Sequence, residues 1–182
     1  MRFVILAFVF SVVPTALAHA ERAYLDGFGY SVEVPKGLAE CGPDAAGHGV
    51  GFYLDGRPEA VEPGCALSKG RRVVTVFAET GRGNSIEDHA AWSCGFQHKN
   101  GTKSRPPSDL SIGGRKSTAC RTNIGSKWIE ILVVTECGVP PSRPHRIDMA
   151  CNAWLRTTPE YFSADLNVFR ATLNSVRFMA PR

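Results

Sequence analysis

Several short stretches of the chain alternate between hydrophobic and polar positions with a period of two. This pattern, rich in β-branched side chains and bounded by turn residues, predicts β-strands. Three such stretches lie in the first half of the chain: 30–34, 50–54 and 72–78. Farther along, a turn near 123–126 predicts a hairpin, and its second strand, 128–134, is apolar at both parities apart from Glu130. We therefore expect that strand to be covered on both faces, with a further strand over 147–156.

Two other segments follow the helical period. Ser85 is a favourable N-cap residue, and Ile86, Ala90 and Cys94 after it recur every four positions, which places them on one inward face. Near the end of the chain, Thr158 offers a cap and Pro159 a first helical residue. The apolar positions that follow are Phe162, Leu166, Phe169 and Leu173. The sequence predicts two amphipathic helices, the second followed by a short extended segment.

The order of these elements indicates the fold class. Three strands precede the first helix, three more lie between the two helices, and one short strand follows the second helix. Strands grouped in runs, rather than alternating singly with helices, favour an antiparallel sheet with helices packed against it. The predicted class is α+β.

The first 20 residues have the features of a cleaved secretory signal peptide. Arg2 precedes an apolar run over 3–13, and two overlapping cleavage frames of the A-x-A type follow at 16–18 and 18–20. The run is much shorter than the roughly 20 residues needed to cross a bilayer, so we expect no stable membrane insertion. The prediction is a single domain over residues 21–182, located in the periplasm or secreted.

Six cysteines lie beyond the predicted signal peptide, an even number that favours disulfides in an oxidising compartment. Spacing alone does not choose among the possible pairings. The simplest pairing joins neighbours along the chain: Cys41 with Cys65, Cys94 with Cys120, and Cys137 with Cys151. We expect these bridges to stabilise the fold.

The charge of the chain argues against nucleic acid as a partner. It carries 21 basic and 17 acidic residues, a net charge of +4, with no long run of like charge. The composition does not predict an oligomeric state.

The layout resembles the PsbP-like family, which includes the extrinsic photosystem protein of that name and bacterial envelope relatives such as DcrB. The similar segments are "YSVEVPKGL" (30–38), "IGGRKSTA" (112–119) and, above all, "YFSADLNVFRATLNSVRF" (161–178). The resemblance implies an αβα sandwich around an antiparallel sheet that serves binding and assembly. It implies no catalytic residues, and six cysteines are not part of the family's general pattern.

The motifs that would indicate catalysis or metal binding are missing or incomplete. The chain has no G-x-S-x-G nucleophile elbow. Asp88 and His89 are adjacent on the first predicted helix, so their side chains diverge, and we interpret both as exposed polar residues. Cys94 and His98 have the spacing of two metal ligands, but Cys94 is better used in a disulfide and His98 follows the expected helix end. We predict no enzymatic activity, no cofactor and no metal.

Binding residues are expected at two places. The loop between Cys137 and Cys151 contains three prolines, which make it stiff, and it presents Arg143, His145 and Arg146 as a patch for an acidic partner. Trp92 is the second candidate, because it lies off the apolar face of the first helix. Trp128 and Trp154 share strand faces with apolar residues, so we expect them in the core.

The functional prediction is a non-enzymatic periplasmic or secreted protein that acts by binding a protein partner. One concrete form is an immunity protein against an envelope-targeted toxin. The alternative is a periplasmic carrier or sensor of a small apolar ligand, and a hydrolase is a weaker candidate.

Overall fold

The computed structural model describes residues 21–41, 48–56, 65, 70–83, 85–99, 101–137 and 149–179. Within these residues the chain forms ten β-strands and two α-helices. The strands are β1 (Glu21–Leu25), β2 (Tyr30–Val34), β3 (Ala39–Glu40), β4 (Gly49–Tyr53), β5 (Val73–Thr80), β6 (Thr102–Ser104), β7 (Thr118–Ile124), β8 (Trp128–Glu136), β9 (Met149–Thr157) and β10 (Arg177–Phe178). The helices are α1 (Ile86–His98) and α2 (Phe162–Ser175). A short 3-10 helix, Asp26–Phe28, joins β1 to β2.

The strands form two antiparallel sheets. The larger sheet has seven strands in the order β3-β4-β5-β9-β8-β7-β6, and the smaller has three in the order β1-β2-β10. The sequence indicated a single sheet, because alternation along a strand carries no information about which strands will pair. β1, β3 and β6 were not predicted. The α+β class and the antiparallel pairing are confirmed.

The larger sheet is covered on both faces. Successive residues of its inner strands point to opposite sides, so each of these strands contributes to the packing on both faces. On β8, Ile131 and Val133 join the main core. The small sheet and α2 cover this core, and α2 contributes Phe169 and Leu173 to it. Leu132 on the same strand belongs to a second apolar cluster, which packs beneath α1. The prediction that the 128–134 strand is covered on both faces is confirmed from Ile129 onward, whereas Trp128 at its start is half-buried. The layers are those of an αβα sandwich.

The β7–β8 hairpin closes where the sequence predicted. Its turn contains Gly125 at a φ of +57°, a left-handed conformation that glycine adopts without the steric cost of a Cβ atom. β8 and β9 form the next hairpin, and the backbone N–H of Cys137 donates to Met149 O at 2.9 Å.

The start of α2 differs from the prediction. The helix begins at Phe162 rather than at Pro159, and Thr158 does not cap it. The preceding residues form a tighter turn instead, in which the N–H groups of Tyr161 and Phe162 donate to Thr158 O and Pro159 O at 3.2 and 3.4 Å. Propensity favours proline in a first turn but does not distinguish a helical turn from this tighter one.

The six cysteines lie at disulfide distance in three pairs, which are the neighbouring pairs along the chain. The Cα–Cα separations are 5.2 Å for Cys41–Cys65, 5.9 Å for Cys94–Cys120 and 5.0 Å for Cys137–Cys151. The second pair joins α1 to β7, and the third closes the β8–β9 hairpin. In the part of the chain that the structure describes, no helix is both long and apolar enough to cross a membrane.

Candidate functional site: the outer face of α1

The position of α1 is fixed at its start, along its inner face and by a covalent bond. Ser85 caps the helix, its Oγ accepting a hydrogen bond from the Asp88 N–H at 3.1 Å, as the sequence predicted. Ala90 is buried against Leu132 and its neighbours. Cys94 then links the helix to Cys120 on β7. These contacts make α1 a rigid support for whatever its outer face carries.

A buried histidine network joins the start of α1 to the sheet. His89 is only 1% exposed, and its Nδ1 accepts a hydrogen bond from the Arg82 N–H at 3.0 Å. Its Nε2 lies 3.4 Å from Glu79 Oε1 and 3.3 Å from Ser93 Oγ. The interpretation of His89 as an exposed polar residue was therefore wrong, because its partners come from a loop and a strand that sequence spacing cannot place. Asp88 is exposed, as expected.

This network holds the backbone in place but does not form a nucleophilic triad. A Ser–His–acid triad needs the serine and the acid on opposite nitrogens of the imidazole. Here Ser93 and Glu79 both lie at Nε2 of His89, while Nδ1 accepts the hydrogen bond from Arg82. A neutral His89 therefore carries its proton on Nε2, and this nitrogen cannot accept a proton from Ser93. The adjacent cleft, of about 10 Å³, has room for about one water molecule.

Two aromatic side chains lie exposed and stacked on the outer side of α1. Trp92 is 43% exposed and Phe96 is 58% exposed, with ring centroids 5.9 Å apart and planes inclined by 17°. The Arg82 guanidinium lies 4.0 Å from the Trp92 ring centre, and Lys99 Nζ lies 5.8 Å from that of Phe96. Because residues four apart on a helix are neighbours, the pair forms one continuous apolar surface between two cations.

A polar cluster under the C-terminal half of α1 corrects the expectation for two tryptophans. Trp128 and Trp154 are half-buried rather than fully buried, although Trp154 packs against the apolar cluster beneath α1. The Arg156 guanidinium lies between them, 5.4 and 5.5 Å from the two ring centres, and its Nε is 3.0 Å from Glu130 Oε1. Their strand face is only partly covered by α1, and an arginine stem packs well against indole rings.

Burial raises the pKa of Glu130 above its ordinary value of 4.5, although the nearby Arg156 charge acts in the opposite direction. The folded state therefore holds this proton to higher pH than the unfolded chain does. It follows that the contribution of Glu130 to stability is greatest below about pH 4.5 and is lost as the pH rises through the raised pKa.

We expect this loss to be absent in Glu130→Gln. Chemical denaturation of both proteins between about pH 4 and pH 8 should show the unfolding free energy of the wild type falling relative to that of the variant as pH rises. Asp55→Asn, at an exposed ion pair with Arg71, is the control. A wild type that gains stability over Glu130→Gln with rising pH would show that attraction to Arg156 outweighs burial.

The other predicted site residues fall in different places. Arg143, His145 and Arg146 lie outside the described residues, and the binding role proposed for them stays a prediction. The Cys94–His98 metal pair is not formed, because Cys94 is in a disulfide. The expectation that His98 follows the helix end was wrong, since it is the last residue of α1. Among the described residues, no group of three or more His, Cys, Asp or Glu side chains is placed to hold a metal.

The exposed position of Trp92 on α1 could be predicted from the sequence, but the position of Arg82 could not. Trp92 was predicted from its position off the apolar stripe, and its four-residue spacing from Phe96 was a signal for stacking. The place of Arg82 had no such signal, because it depends on the bond from its backbone to His89.

The comparisons with known proteins bear on the fold. No family model matches the sequence, and no curated protein is similar to it. Among solved structures, one similar chain is cyanobacterial PsbP (CyanoP) from Synechocystis sp. PCC 6803, determined in solution. The TM-score is 0.50 and the identity 12%, over 92% of this chain and 97% of that chain. The fold is PsbP-like. At this identity the likeness concerns the fold alone, and the PsbP-like fold assigns no residue a role.

Proposed function

We propose that this protein is a non-enzymatic binding domain that associates with protein through the outer face of α1. The stacked Trp92–Phe96 pair carries this proposal. Large aromatic side chains supply much of the binding energy at protein interfaces, whereas most large apolar residues in the described part of this chain are buried. An exposed aromatic pair on a rigid helix therefore favours a role of this surface in binding.

The support beneath the pair favours binding. The Cys94–Cys120 disulfide, the His89 network and the stacking itself restrict the two rings before any partner arrives. Less rotational freedom is then lost on association, so more of the contact energy appears as affinity. The same contacts explain why Arg82 remains over the Trp92 ring.

We place this activity outside the cytoplasm, in the periplasm or among secreted proteins. The three cysteine pairs and the predicted signal peptide support that location. In a finer form of the proposal, the chain is an envelope member of the PsbP-like family. It then acts as an immunity protein against an envelope-targeted toxin, with the loop carrying Arg143, His145 and Arg146 as a further contact.

Alanine substitution of the aromatic pair tests the proposal. With the tagged protein as bait in its own host, we expect Trp92→Ala and Phe96→Ala each to weaken capture of its protein partner by about 10- to 100-fold, the range of interface hot spots. Partner affinity is then measured by titration against the purified partner.

Tyr24→Ala is the matched control, because Tyr24 is an exposed aromatic residue on β1, remote from α1 in the chain. Its capture should equal that of the wild type. Equal capture by the wild type and by Trp92→Ala/Phe96→Ala would exclude α1 as the contact surface.

A further inference from the structure

Four exposed residues form a single line along the outer side of α1. Asp88, Trp92, Gly95 and Lys99 are spaced by four, three and four positions, which keeps them on one side of a helix. Lys99 is the C-cap residue and retains helical backbone angles. The line begins with an acid, ends with a base, and has a large and a small residue between them.

Gly95 is unusual at this place. Glycine in a helix interior costs about 1 kcal/mol relative to alanine. A Cβ atom at Gly95 would have nothing within 4 Å, so packing among the described residues does not require a glycine here. A small residue at an exposed helix position suits the close approach of another surface. Ala91, one turn earlier, is also small and exposed.

We infer that the protein accommodated on this face is a second copy of the chain, with its α1 antiparallel to the first across a twofold axis. The inference rests on the proposed function, in which α1 binds protein. In this arrangement the axis passes level with the midpoint between residues 93 and 94. Asp88 then lies opposite Lys99 of the second copy, and Trp92 lies opposite its Gly95.

The complementarity holds in both size and charge. Phe96 lies opposite Ala91 of the second copy, so each aromatic residue meets a small one, and the twofold axis repeats every contact. Both ends of the interface pair an acid with a base. A parallel arrangement would instead place Asp88 against Asp88 and Trp92 against Trp92, which is unfavourable for both charge and packing.

The expected dimer is weak. The 12 residues from Asp88 to Lys99 span about 17 Å, and a single helix face of this length is smaller than the roughly 800 Å² per partner of a standard interface. We therefore expect a concentration-dependent equilibrium that salt shifts toward the monomer, because the end pairs are exposed.

Sedimentation equilibrium of the purified mature protein tests this inference. The wild type should approach twice the monomer mass with rising concentration. Gly95→Gln should remain monomeric, because its side chain fills the space that Trp92 of the second copy would occupy. This variant should fold at least as well as the wild type, since glutamine is a better helix former than glycine. Ala171→Gln, at an exposed position of α2, is the matched control and should dimerise normally.

A charge exchange tests the antiparallel geometry. Asp88→Lys and Lys99→Glu each place like charges at both ends, so each protein alone should be at least about 10-fold weaker in dimerisation. Mixing the two variants restores opposite charges at both ends of a heterodimer, which should form about as well as the wild-type dimer.

The outcomes separate this inference from the proposed function. A monomeric wild type at all concentrations, or a Gly95→Gln protein that dimerises normally, would overturn the inference. A monomer that captures another protein, such as a toxin, through Trp92 would overturn it while supporting the proposed function. Failure of the mixed variants to associate would exclude the antiparallel pairing.

Discussion

Replacing Asp165 with alanine should lower the unfolding free energy by about 3 kcal/mol, the scale expected when one partner of a buried ion pair is removed. Asp165 is buried in the first turn of α2 and accepts hydrogen bonds from Arg72 Nη1 at 2.8 and 2.9 Å and one from the Thr157 hydroxyl. Arg72 also donates to Leu54 O and lies 3.8 Å from the Tyr161 ring centre. The ion pair therefore joins α2 to the ends of three strands.

The loss should be large because the remaining arginine stays mostly buried without its carboxylate. Urea denaturation measures the change. Asp109→Ala is the matched control, because Asp109 forms an exposed ion pair with Arg170 of α2, with 2.9 Å between Oδ1 and Nη2. Removal of this pair should have little effect on the unfolding free energy. An equal loss in both variants would mean that the Arg72 network contributes no more than a surface pair.

Removing the Cys94–Cys120 disulfide should destabilise the protein by about 3 kcal/mol and also weaken partner binding through α1. The closed loop spans 26 residues, for which chain-entropy arguments give a loss of this size. Because this bridge holds α1 against β7, the double variant Cys94→Ala/Cys120→Ala should expose the helix to local unfolding. Hydrogen exchange should then accelerate in α1 more than in α2 or in β9.

The control is Cys137→Ala/Cys151→Ala, which removes the bridge of the β8–β9 hairpin. It should lower global stability by a similar amount while leaving α1 as protected, relative to the rest of the fold, as in the wild type. Unchanged α1 protection and unchanged partner affinity in Cys94→Ala/Cys120→Ala would show that Ser85, Ala90 and His89 suffice to hold the helix.

The predicted elements with strong periodicity agree with the structure. The inward stripes of both helices, the turn before β8 and the coverage of β8 on both faces all follow from local patterns of apolar residues. The errors in the bounds and number of the elements lie where local signals are equivocal. Pro159 suits both a helix start and a tight turn, and the two-residue strand β3 is too short to show alternation.

The candidate site was predictable only in part. The position of Trp92 off the apolar stripe was visible in the sequence. The Arg82 guanidinium over the Trp92 ring was not, because its place depends on the hydrogen bond from the Arg82 backbone to His89. His89 itself was misjudged, because its burial comes from Glu79 on β5 and from the loop before α1. Trp128 was assigned to the core because its neighbours along the strand are apolar, but the helix covers that face only in part.

The sequence by itself determined the periodicity of each segment, and through it the α+β class, the apolar stripes of both helices and the presence of a helix between two groups of strands. These properties arise from interactions between residues close along the chain. Only the tertiary structure decided that β1, β2 and β10 form a sheet of their own, that the outer face of α1 presents a stacked aromatic pair, and that Asp165 meets Arg72. Each of these depends on contacts between residues distant in sequence, which local patterns do not encode.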